Sequence, residues 1–216
     1  MPHEDEELKN SIVNYPWRVF SLPPSTNEYI RILESFLNLS QNSHIILISS
    51  TSVFGENQGF ISNDTQPIPS DERGNFCLQA EVLALNAKVK SLTIIRPAGL
   101  LDEERHPGKS LSGKQNLARG NSPINLIHTE DVARFILHLF QLDQRKDPPK
   151  NRLINLASSR HDSRKDFYEK YCLDHQLIPP CFNSEERELL EKKNKIIDDS
   201  HLLLNYNFLL KYPNLY

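Results

Sequence analysis

Four hydroxyl-bearing residues stand in a row at Ser49, Ser50, Thr51 and Ser52, directly after the apolar run HIILI and just before Val53-Phe54-Gly55. A hydroxyl so placed can donate a hydrogen bond to charge developing on a substrate oxygen while a neighbouring acid moves the proton. The same hydroxyls can equally do no more than satisfy backbone groups orphaned where a strand stops. Residue type does not choose between the two, so the elements around the cluster must. A second set, Cys172-x-x-His175 with Cys181, has the i, i+3 spacing that puts two metal ligands on one helix face. It lacks a convincing fourth ligand, and Cys172 fits an apolar face with Phe167 and Tyr168, so a core thiol is the preferred reading. A Ser-His-Asp hydrolase is disfavoured because no G-x-S-x-G elbow follows a strand.

The elements that must position these residues alternate. An acidic helix is expected over residues 5–15, then a strand in WRVFSL, stopped by Pro23-Pro24 because proline cannot continue a central ladder. Tyr29, Leu33, Phe36 and Leu37 recur at the amphipathic helix period. Residues 44–50 and SLTIIRP are nearly all apolar, the pattern of parallel strands covered on both faces. Between them NFCLQAEVLALNAKV predicts a helix with Phe76, Ala80 and Leu83 on one side. PINLIHTEDVARFILHLF predicts a strand and then a helix, with Thr129 as N-cap and Glu130 and Asp131 in its first turn, where they favourably face the dipole. RLINLAS is a further strand; DSRKDFYEKYCLDHQL and the charged SEERELLEKKN are helices, followed by a short KII strand. Residues 141–151 form a surface loop. Strands alternating with helices in this way imply an α/β fold with a mostly parallel sheet, in which ligands lie at the carboxyl ends of strands. The hydroxyl cluster stands at such an end.

A chain of 216 residues is long enough for one sizeable core with some C-terminal elaboration. The net charge is −3 and the basic residues are scattered, which argues against the clustered Lys/Arg footprint of a nucleic-acid binder. The first ten residues are acidic and polar where a signal peptide would be basic and then apolar, and no apolar run approaches the roughly 18 residues of a spanning helix. A soluble cytoplasmic protein without nucleic-acid or membrane partners is expected. Three cysteines form no secreted-type framework and read as reduced thiols.

Four segments, ISSTSVFG, LTIIRPAGLLDEERHPGKSLSGK, INLIHTEDVARFI and NKIIDDSHLL…NYNFLLKYP, occur in the order and spacing of the extended short-chain dehydrogenase/reductases. They are most similar to an atypical bacterial subgroup of sugar-nucleotide epimerase-like proteins, the YeeZ-like proteins, and the resemblance runs from about Trp17 to the C-terminus. It implies that Ser50 is the strand-end residue that hydrogen-bonds the reacting substrate oxygen. It also implies that His106, in RHPG, lines the site as a candidate acid/base, with Thr51, Arg105, Asn125, His128 and Lys195 on the substrate side. Leu22, Pro23, Ser49, Pro97, Ala98 and Gly99 take the places that flank the cofactor.

Two departures accompany the resemblance. The Tyr-x-x-x-Lys pair, in which the ammonium lowers the phenol's pKa, should lie on the helix after the hydroxyl cluster. Counting back from Glu81 puts Arg73 at the tyrosine place and Cys77 at the lysine place, and neither can do that work. Second, no glycine triplet has the G-x-G-x-x-G spacing that cradles a pyrophosphate. On the family pattern WRVFSL is the fourth strand, so on the order of 60 to 70 residues of βα structure are expected to be missing before it. That would leave this strand as a bare edge.

The expected architecture is therefore a partial Rossmann-type doubly wound parallel sheet with a small C-terminal α/β subdomain. Residues 1–157 would form the partial NAD(P)-binding domain, including a substrate-side segment at about 100–128, and residues 158–216 the substrate-side subdomain. NAD or NADP is expected of the complete family member, and no tight binding by this chain alone. The resemblance implies an NAD(P)-dependent nucleotide-sugar epimerase, dehydratase or reductase, incomplete or weakly active as this chain. The alternatives are a non-catalytic dinucleotide or metabolite sensor, and an inactive fragment. A homodimer or an edge-covering partner is expected.

Overall fold

The apolar runs become the middle of a sheet. A computed structural model describes residues 15–24, 27–55, 57–143, 149–183 and 194–215. In it four strands, β1 (Trp17–Phe20), β2 (His44–Ile48), β4 (Ser91–Pro97) and β7 (Asn151–Leu156), lie in the order β1-β2-β4-β7. β1 runs parallel to β2 from Trp17 opposite His44, and β2 parallel to β4 from His44 opposite Ser91. Every residue of β4 is buried, as covered strands require. β1 stands at one end of this order among the described residues.

The chain divides into two compact units. The first, residues 1–55, 66–96 and 143–154, carries most of the sheet and the helices α1 (Asn27–Asn38) and α2 (Glu72–Leu85). Tyr29, Leu33 and Leu37 of α1 pack with Ile45, Leu47, Ala80, Ala84, Leu92 and Ile94 in one apolar core. The fully buried stripe of α2 is Gly74, Cys77, Ala80, Glu81 and Ala84; of the face expected from apolar spacing Ala80 is fully buried, Leu83 packs half-buried against the core, and Phe76 is only half-buried. Small residues lead that stripe because the helix approaches the chain closely. A Cβ added at Gly74 would lie 2.7 Å from the Ser52 carbonyl oxygen, a separation that real side chains do not reach.

The second unit, residues 56–65, 97–142 and 155–216, has two parallel strand pairs. β3 (Gly59–Ile61) pairs with β8 (Lys195–Ile197), and β5 (Gly99–Leu101) with β6 (Leu126–His128). Its helices are α3 (Pro107–Leu111), α4 (Thr129–Asp143), α5 (Arg164–Asp174) and α6 (Ser200–Tyr206). Leu101, Ile124, Leu126, Phe167, Tyr168 and Leu215 form its core. Residues 207–215 are tied down at several points. Asp131, fully buried, accepts the backbone N–H groups of Lys211 at 2.7 Å and Tyr212 at 2.9 Å, and the Ser158 hydroxyl donates to the Pro213 carbonyl at 2.8 Å.

Helix α4 starts where expected, with a different cap. His128 Nδ1 accepts the Glu130 N–H at 3.2 Å, while the Thr129 hydroxyl points to Asp102 at 3.4 Å. A hydroxyl that finds a carboxylate has no reason to serve the helix, and the imidazole takes its place. The helix expected at residues 5–15, apart from Tyr15, and most of the SEERELLEKKN helix lie outside the described residues, as do residues 144–148 of the surface loop. No described helix is long and apolar enough to cross a membrane.

Candidate functional site

In the first unit the hydroxyl cluster is organised by a buried ion pair. Ser49 leaves β2 with its N–H on the Ile95 carbonyl at 2.8 Å, and its hydroxyl donates to Glu81 Oε1 at 2.6 Å. Arg96 grips the same carboxylate with two donors, Nε to Oε1 at 2.9 Å and Nη2 to Oε2 at 2.7 Å. Glu81 is 1% exposed and Arg96 3%, so each charge depends on the other for the solvation it has lost. The Arg96 guanidinium also lies over the Phe54 ring, 4.9 Å from its centroid. Arg96, the one charged residue of a covered strand, is the sequence signal for this pair, because a buried cation needs a carboxylate.

Ser50 has extended backbone and accepts the Ser52 N–H on Oγ at 3.1 Å, capping a short 3₁₀ turn at Thr51–Phe54. It is half-buried, whereas Ser49 and Thr51 are buried. Accepting with Oγ leaves the Ser50 hydroxyl proton able to donate elsewhere. Ser52 donates to Cys77 Sγ at 3.7 Å; desolvation, the largest influence, pushes the Cys77 thiol above its usual pKa. Arg73 is exposed at the start of α2. Leu22 and Pro23 are exposed just beyond β1. The chain has seven glycines and none forms the G-x-G-x-x-G turn, so its residues do not supply a pyrophosphate cradle.

In the second unit two of the expected residues come together. His106 and His128 line one cavity of about 440 Å³, with Leu101, Asp102, Tyr171 and Tyr212 among its walls. His106 caps α3, taking the Gly108 N–H on Nδ1 at 3.1 Å. Its ring stacks on Tyr171 at 3.5 Å with 8° between planes, and Phe167 lies 5.7 Å away. Gly108 makes this possible: an added Cβ would fall 2.2 Å from Tyr171 Cδ1. Burial, then the neighbouring His175 and Lys109, lowers the His106 pKa to about 4, so the ring is neutral at physiological pH. A neutral imidazole whose Nδ1 is occupied is a hydrogen-bond donor rather than a ready base. His128 stacks on Tyr212 at 3.8 Å, and the Tyr212 hydroxyl donates to Glu130 Oε2 at 2.9 Å.

The remaining expected residues are placed around this cavity's elements. Arg105 is exposed and folds onto Asp102, with Nη2 to Oδ2 at 2.9 Å; the Arg105 backbone N–H and side chain hold the Asp102 carboxyl below its ordinary pKa. Asn125 directs both ends of its amide at β8, Nδ2 to the Lys195 carbonyl and Oδ1 to the Ile197 N–H, each at 2.8 Å. Lys195 opens β8, half-buried. Pro97 and Ala98 are buried, with the Ala98 N–H on the Leu156 carbonyl at 2.8 Å, and exposed Gly99 starts β5. Cys172 is buried with its thiol on the Gly108 carbonyl at 3.6 Å, while Cys181 is exposed. Tyr171 and Tyr212 carried no sequence signal, since tyrosines far apart in the chain announce no shared wall.

No family model matches this chain. It is 34% identical over 170 residues to Protein YeeZ of Escherichia coli K12, a match covering 79% of this chain and 59% of that protein. The same figures hold for Protein YeeZ of Escherichia coli O157:H7, so the chain spans about three fifths of the length of the curated relatives it matches. Among solved structures, MoeE5 in complex with UDP-glucuronic acid and NAD superposes with a TM-score of 0.74 at 19% identity, covering 94% of this chain and 77% of that one. MoeE5 with UDP-glucose and NAD gives 0.73 at 17% identity with the same coverage. UDP-glucuronic acid 4-epimerase from Bacillus cereus in complex with NAD gives 0.71 at 16% identity, covering 94% and 72%. The α/β fold with its parallel sheet is the Rossmann-like fold of these proteins.

Proposed function

We propose that this chain belongs with YeeZ among the NAD(P)-dependent epimerase/dehydratase-like proteins of the short-chain dehydrogenase/reductase class, and that its substrate is a nucleotide-sugar-like small molecule. The 34% identity to YeeZ supports the kinship, and the NAD and nucleotide-sugar complexes of the structural neighbours support the ligand classes. The observation that carries the reading is the cavity in the second unit, where His106 and His128, both expected from sequence on the substrate side, share one wall system. In the first unit Ser50 ends β2 with its hydroxyl positioned by a turn that the Glu81–Arg96 pair anchors through Ser49. Its O–H would donate to the reacting oxygen of the substrate. In the first unit Leu22, Pro23 and Ser49 would flank NAD or NADP, which would supply the hydride chemistry when bound.

Arg73 and Cys77 stand one helical turn apart at the places of the acid/base pair, and Cys77 is sealed in the core. That favours a second reading, a metabolite- or dinucleotide-binding protein without turnover. The two are separated by incubating the protein with NAD or NADP and with UDP-glucose or UDP-glucuronic acid, followed by chromatographic analysis of the sugar nucleotides. Conversion supports the enzyme; binding by calorimetry without conversion supports the sensor. Absence of both removes the nucleotide-sugar reading.

A further inference from the structure

We draw no further inference here: the strongest candidate, the groove of the second unit in which exposed Leu137 of α4 and exposed Leu209 flank Arg134, His138 and buried Phe208, is an unpartnered apolar surface, and nothing in the structure shows what covers it.

Discussion

The Ser49 hydroxyl lies 2.6 Å from Glu81 Oε1, and that hydrogen bond ties the end of β2 to a carboxylate that Arg96 already holds with two donors. The hydroxyl cluster is thus anchored from beneath by a charge pair with almost no exposure to water. Removing one member leaves the other buried and uncompensated. Arg96→Met is expected to lower the stability of the first unit by about 3–5 kcal/mol in urea unfolding, whereas the double replacement Glu81→Leu with Arg96→Met recovers most of that loss. A single variant as stable as the parent would show that the pair has little hold on the turn.

Ser50 has two separable duties, and one substitution distinguishes them. Ser50→Ala removes the acceptor for the Ser52 N–H and is expected to cost roughly 0.5–2 kcal/mol of stability. If Ser50 also polarises a substrate oxygen, turnover in an active form of the protein falls about 100-fold or more. A stability loss with unchanged turnover would confine Ser50 to capping.

Burial lowers the His106 pKa to about 4, below the ordinary value of 6.5. An unfolded chain therefore binds a proton at this residue in a range where the folded one does not. The resulting stability is fully present above about pH 6.5 and is lost as pH falls through about 4, by roughly 3 kcal/mol in total. His106→Asn keeps an acceptor for the Gly108 N–H but has no proton to bind. Comparing unfolding free energies of the two proteins from pH 7 to pH 4 should show a shallower decline in the variant, and parallel profiles would contradict the shift.

The 207–215 segment depends on Asp131. Its carboxylate accepts two backbone N–H groups and the Arg134 guanidinium at 2.9 Å. Asp131→Ala orphans those donors and is expected to cost about 1–3 kcal/mol, with the Lys211 and Tyr212 amides exchanging with solvent much faster than in the parent. Unchanged exchange at both amides would mean that the Ser158–Pro213 bond and buried Leu215 suffice to hold the segment.

The α/β alternation was legible because covered strands are written as long apolar runs, and HIILI and SLTIIRP admit few other readings. The three-residue strands β3 and β5 were not legible, since Gly-Phe-Ile and Gly-Leu-Leu give no period to count. On α2 the apolar spacing points to Phe76, Ala80 and Leu83; Ala80 is fully buried and Leu83 packs against the core, but close packing also turns Gly74, Cys77 and Ala84 inwards, carries Glu81 with them and leaves Phe76 half-buried. The cap of α4 was misread for a related reason: Thr129 has the better propensity, and only the nearness of Asp102 reveals that its hydroxyl is engaged elsewhere. His106 and His128 were nominated by motif order, while their tyrosine backings come from residues 65 and 84 positions further along the chain (171 − 106 and 212 − 128), a pairing that only folding creates.

Each unit carries one sealed thiol, Cys77 in the first and Cys172 in the second, while Cys181 is open to solvent. Both sealed thiols have raised pKa values, largely from desolvation, which further slows alkylation in the native state. Labelling with a maleimide therefore runs as a clock with distinguishable hands: one thiol reacts at once, and the other two record separately when their own half of the chain first opens.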